Sequence, residues 1–228
     1  MPDSESGVTD VRDMYLIHTA LRRELKLGAL RLRTVPEGDV ELAALLLDHV
    51  RFIDSVLHHH HASEDRMVWP LLLERAPVEA GVLVPLMEEQ HGAIDAALAE
   101  VDARMPAFGE TAGLREGAAL ADALDGMVKL LVEHLAVEEE RALPLMERNI
   151  TQQEWTQVTS DGAGEFDQEK IPVLFGMMMY EGDPDTIRDV IDGMPPEVRP
   201  VAQFAPGLYA DYALRVHGTA TPEKLGAA

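Results

Sequence analysis

The stretch His58-His59-His60-His61-Ala62-Ser63-Glu64-Asp65-Arg66-Met67-Val68-Trp69-Pro70 has a counterpart further on. It is His134-Leu135-Ala136-Val137-Glu138-Glu139-Glu140-Arg141-Ala142-Leu143-Pro144. In both, a glutamate stands four residues after a histidine, and a proline followed by leucine stands six residues after the glutamate. Upstream, His18 precedes His60 by 42 residues and His91 precedes His134 by 43, so the chain reads as two hairpins offset by 73 to 74 residues. Repetition of a whole helix pair, with polar residues at matched places, marks one structural unit used twice.

Working outward, Ala, Leu, Glu and Arg dominate the first 150 residues and no period-two β-branched runs occur, which predicts helix. Breaks are expected at Val35-Pro36-Glu37-Gly38, at Ala76-Pro77 and at Met105-Pro106-Ala107-Phe108-Gly109. They leave helical segments of roughly 9–33, 39–75, 78–104 and 112–148, the second capped by Asp39. Four long helices with short connections predict an all-α, up-down-up-down four-helix bundle.

Steps of three and four residues give each helix a core stripe. The first carries Met14, His18, Leu21, Leu25, Gly28 and Leu32; the second Leu46, Val50, Ile53, Leu57, His60, Glu64, Met67 and Leu71. The third carries Val84, Met87, His91, Ile94, Leu98, Val101 and Met105; the fourth Leu120, Leu124, Met127, Leu131, His134, Glu138, Arg141 and Leu145. The stripes are apolar except at the histidines, the two glutamates, Gly28 and Arg141. Ionisable groups in a core are costly unless paired, hydrogen-bonded or metal-bound.

Composition narrows the chemistry. The chain has 228 residues, 41 acids against 19 bases, a net charge of −22 and no cysteine. Disulfides, thiolate metal sites and cysteine nucleophiles are excluded. The acid surplus argues against nucleic acid and anionic membranes as partners. The N-terminus lacks the blocks of a signal peptide, and no apolar run approaches the roughly 18 residues of a membrane helix, so a cytoplasmic protein is expected. Residues 151–228 read as a small helical extension: a polar helix and linker over 151–169, an apolar run Ile171 to Tyr180, and an amphipathic segment near 197–217. It is expected to pack on the bundle or on a second copy, with Met177-Met178-Met179 as a contact for a homodimer or as buried core.

The spacing gives the polar residues a common destination. Residues four apart share a helix face, so His60 with Glu64, and His134 with Glu138, can each serve one centre. His18 and His91 add an imidazole from each remaining helix. Four imidazoles and two carboxylates suit two metal ions bridged by carboxylate, and nitrogen and oxygen donors without thiolate suit iron or manganese.

The pattern H…HxxxE…H…HxxxE, filled by His18, His60, Glu64, His91, His134 and Glu138, resembles that of the hemerythrin-like (HHE cation-binding) proteins over roughly residues 10–150. The resemblance implies a bundle domain over 9–150 and two Fe ions, oxo- or hydroxo-bridged, with Mn or Zn as alternatives. Residues 151–228 look like the extension of some actinobacterial members. The chain departs from the oxygen-carrying members in two ways: Asp95 stands where they have a fifth histidine, and HxxxE replaces HxxxxD. Four histidines leave open positions on both metals unless Asp95 or water fills one. That favours peroxide breakdown (a catalase-like enzyme activity) or nitric oxide handling over reversible O2 carriage. An iron- or oxygen-sensing module and a metal-free helical interaction protein are the alternatives.

The remaining polar residues are expected to be ordinary. His58, His59 and His61 read as surface or ligand-supporting residues, His49 as structural, and His217 as solvent-facing. Asp65, Glu139 and Glu140 read as a solvated face or as partners that orient histidines, with Arg141 paired to one of them. Tyr15, Trp69 and the stripe methionines read as packing.

Overall fold

The computed structural model describes residues 8–164 and 169–225. Residues 165–168, within the expected linker, lie outside that description. Ten α-helices and two π-helical turns are formed among the described residues: α1 (Asp13–Leu32), α2 (Val40–Ser63), α3 (Trp69–Arg75), α4 (Pro77–Thr111), α5 (Leu114–Val137), α6 (Leu143–Asn149), α7 (Gln152–Gly164), α8 (Ile171–Glu181), α9 (Pro184–Gly193) and α10 (Val201–His217). Helix α1 packs beside α2 and α5, and α4 packs beside the same two. The chain is therefore an all-α bundle with added C-terminal helices. Asp39 caps α2, accepting the Leu42 N–H at 3.0 Å.

The third helix differs from expectation at its end. No break occurs at Pro106, and α4 runs through it to Thr111. A proline inside a helix removes one backbone hydrogen bond. Here Met105 and Phe108, 2% and 1% exposed, anchor the turns on either side of it. The helix stops where Ala112 enters the left-handed region (φ 45°) and returns its N–H to the Phe108 carbonyl.

Both HxxxE repeats end in a π-helical turn, Glu64–Val68 and Glu138–Ala142. The Trp69 N–H reaches back five residues to the Glu64 carbonyl, and the Leu143 N–H does the same to Glu138. One extra residue per turn advances the inward face. Val68, Trp69 and Ala142 are thus buried, whereas Met67 is only half-buried and Arg141 is exposed. That corrects the stripe positions of Met67 and Arg141. Pro70 and Pro144 begin the regular helices that resume, where a missing N–H costs least.

The extension shares the bundle's core. Met177, Tyr209, Ala213 and Val216 pack in one apolar cluster with Leu21, Leu25 and Leu57. Helices α8 and α10 cross closely at Gly176, where a Cβ would meet the Ala205 carbonyl oxygen at 2.2 Å. A second apolar cluster, around Trp69, Leu72, Met87, Leu143 and Trp155, fills the other end of the bundle. Each site helix crosses from one cluster to the other at its histidine: Met14 and Leu21 flank His18, and Met87 and Ile94 flank His91. The candidate centre is a polar level between two apolar cores. No described helix is long and apolar enough to cross a membrane.

Candidate metal centre

The six sequence-predicted residues meet at this level. His18, Glu64, His91, His134 and Glu138 are at most 3% exposed, and His60 is only slightly more open. His18 Nε2 and His60 Nε2 stand 3.1 Å apart, a separation that suits one shared proton or one shared ion. The carboxylates cross the level. Glu64 approaches His60 Nε2 at 3.3 Å with one oxygen and His91 Nε2 at 3.5 Å with the other. Glu138 Oε2 lies 3.4 Å from His18 Nε2 and 3.6 Å from His134 Nε2.

The outer ring nitrogens are held from behind. Asp65 Oδ1 accepts from His91 Nδ1 at 2.9 Å and from the Trp69 indole N–H at 2.8 Å. Glu139 Oε1 accepts from His18 Nδ1 at 2.9 Å and from Arg22 at 2.7 Å. Gln90 Oε1 stands 3.2 Å from His134 Nδ1. A proton fixed on Nδ1 leaves the Nε2 lone pair facing inward, the tautomer a ligand needs. Asp65 and Glu139 therefore orient histidines, whereas Glu140 and Arg141 are exposed.

Inside, the same groups lack partners. Both oxygens of Glu64, both oxygens of Glu138, and the Nε2 atoms of His61, His91 and His134 are buried without a hydrogen bond. Burial and the neighbouring Glu138 raise the Glu64 carboxyl well above its usual range. Burial, with the surrounding imidazoles, pushes His60 and His61 well below theirs and His134 down to about 3. Converging lone pairs that disfavour protons on nitrogen and charge on carboxylate fit a bound cation, which supplies the missing partner to every one of them. The residues present fit a metal.

Tyr15 and His217 are placed otherwise than expected, and His61 and Asp95 each take one of the two places left open to them. His61 is 5% exposed, with its ring stacked on His91 at 4.0 Å and 13°. Asp95 is exposed and is not among the converging donors. Tyr15 is 44% exposed, so it is not core packing. His217 is nearly buried and not solvent-facing, donating from Nε2 to Glu24 at 2.9 Å.

A cavity of about 540 Å³ lies between α1 and α2 on one side and α7, α8 and α9 on the other. Ile17, Val56, Leu174, Phe175 and Met178 give it apolar walls, and it reaches the centre at His60 and Glu64.

A helical bundle with a buried level of His and Glu donors is the architecture of a cation-binding domain. The model of the hemerythrin HHE cation-binding domain family matches residues 9–146, and the chain belongs to that family. Neither a curated protein nor a solved structure matches the chain.

Proposed function

We propose that His18, His60, Glu64, His91, His134 and Glu138 hold a non-heme di-iron centre that binds or reacts with a small oxidant. Peroxide breakdown or nitric oxide handling is preferred to reversible O2 carriage, because Asp95 supplies no ligand on α4. The supporting observation is the set of unpartnered carboxylate oxygens and imidazole nitrogens converging between the two cores. Bound iron supplies Lewis acidity and one-electron chemistry.

The chain's own residues do the rest. Asp65 and Glu139 hold the His91 and His18 rings with Nε2 inward. The cores above and below exclude water, which lowers the local dielectric and strengthens each ion–ligand contact. The cavity gives a small molecule a path to His60 and Glu64 without opening the bundle.

A sensing role is the second reading, favoured by one observation. Helix α1 carries His18 at the centre and, six residues on, Glu24 in the contact with α10. Metal uptake that orders α1 would therefore reach the extension.

The test is metal analysis of the purified full chain with anaerobic optical titration. Two irons per chain and a spectrum consumed by peroxide or nitric oxide are expected. Absence of bound metal after growth in iron-replete medium overturns the proposal, and an oxygenated spectrum that reverses on degassing restores the carrier reading.

A further inference from the structure

We propose that His61 is a further ligand of the metal centre, joining His91 and His134 on one ion while His18 and His60 face the other. The assignment rests on the di-metal reading above. Three observations carry it. The His61 side chain is buried. Its Nε2 has no hydrogen-bond partner, as with His91 and His134. One nitrogen from each of the three rings lies within 4.8 Å of the others.

The arrangement follows from helix geometry. Adjacent residues on a helix point about 100° apart. His60 and His61 therefore diverge into the core, His60 toward His18 at 3.1 Å and His61 onto His91 and His134, with ring centroids at 4.0 and 5.0 Å. His18, His60, Glu64 and Glu138 form a second group with donor atoms equally close. Glu64 and Glu138 each reach from one group to the other, Glu64 between His60 and His91, and Glu138 between His18 and His134. With Asp95 exposed, α4 gives this side one nitrogen, and α2 provides the third through His61. Three buried, unpaired imidazole lone pairs are costly without a cation to receive them.

The two ions then differ in donor count and in access, and a fifth histidine from α2 brings reversible O2 carriage back level with peroxide or nitric oxide chemistry. Of the site residues, the cavity touches His60 and Glu64, so an incoming ligand meets the side with two histidines.

The full chain, with His61→Phe, His61→Gln and the exposed control His58→Phe, is titrated anaerobically with Fe(II) and with Co(II). Metal count after gel filtration and the intensity of the Co(II) ligand-field bands are read. Wild type and His58→Phe are expected to hold two ions. His61→Phe keeps the ring stack without the nitrogen. It is expected to hold one ion at wild-type affinity and to bind the other about 100-fold more weakly, with altered Co(II) bands. His61→Gln gives the same result if the phenylalanine variant fails to fold. Two ions at wild-type affinity with unchanged bands in a folded His61 variant overturn the assignment and leave the di-metal reading standing. A wild-type chain holding fewer than two ions overturns both.

Discussion

Helix α1 contributes to two buried clusters of histidine and glutamate, six residues apart, and they behave in opposite ways. At His18 the carboxylates Glu64 and Glu138 find no hydrogen on any neighbour. At Glu24 the carboxylate is surrounded by donors: Arg23 Nε at 2.9 Å, the Tyr209 hydroxyl at 2.5 Å and His217 Nε2 at 2.9 Å. Arg23 is itself completed by Glu181 at 3.2 Å and the Met177 carbonyl at 2.8 Å. His49 bonds Tyr212 at 2.9 Å and the Glu24 carbonyl at 3.3 Å, so only His217 Nδ1 is left over. Burial alone would raise the Glu24 carboxyl, but the His217 bond with His49 and Arg23 beside it holds it down to about 2. At the other cluster Glu64 is pushed up. Glu24, His49 and His217 are as close together as a metal site requires, yet a guanidinium already occupies the role of the cation. Supply of donors, not the number of His and Glu, separates a metal centre from a structural network.

The sharpest way to break that contrast is to remove one carboxylate from the structural cluster. Glu24→Ala leaves Arg23 buried with Glu181 as its remaining carboxylate, and stability is expected to fall by about 3–5 kcal/mol. Metal content of the folded chain is expected to stay unchanged. Urea unfolding with parallel metal analysis reads both. Loss of metal together with stability would mean that the two clusters are one functional unit.

The same contrast explains what could be read from the chain in advance. The bundle was legible because apolar stripes repeat at helical spacing, and the six matched His and Glu stood out against them. The π turns were harder to see. Stepping by three and four carries the stripe through Met67 and Arg141, whereas the backbone spends an extra residue and presents Val68 and Ala142 instead. Pro70 and Pro144 were the signal, since each marks where a regular helix restarts. His61 was lost among four consecutive histidines because one stripe admits one residue per turn. A level that must accommodate two groups of donors uses two adjacent positions. His217 was out of reach: its burial depends on α10 lying against α1, a contact between residues 193 apart in sequence.

A smaller effect tests the histidine supports. Asp65 holds His91 Nδ1 while bonded to Trp69. Asp65→Ala should free that ring and weaken metal binding by about 10- to 100-fold, equivalent to about 1.4–2.7 kcal/mol. The Glu24 network should be untouched, but the indole N–H of buried Trp69 loses its acceptor, so the metal-free variant should be about 1–3 kcal/mol less stable than the metal-free wild type. Calorimetric Fe(II) titration reads the first quantity and urea unfolding the second. Unchanged metal affinity would return Asp65 to the solvated face.

The smallest effect is acid sensitivity of the extension's contact. Burial pushes the His49 imidazole down to about 4, against the opposing pull of Glu24. Its folded pKa lies below its unfolded value of about 6.5, so the unfolded chain binds the proton first. Stability from His49 is present above pH 6.5 and is lost as pH falls toward 4. Between pH 7 and 5.5 the loss is about 1 kcal/mol. The depressed Glu24 carboxyl acts in the same direction, but only below about pH 4.5. Acid also releases metal, because protons compete for its ligands, so the measurement is made on metal-free chain with wild type and His49→Gln compared. The variant's slope between pH 7 and 5.5 should be shallower than wild type's by about 1 kcal/mol, while the lowered His60, His61 and His134 give both chains the rest of it. Equal slopes would place the acid response elsewhere, and the two clusters would then differ in donors without differing in their response to protons.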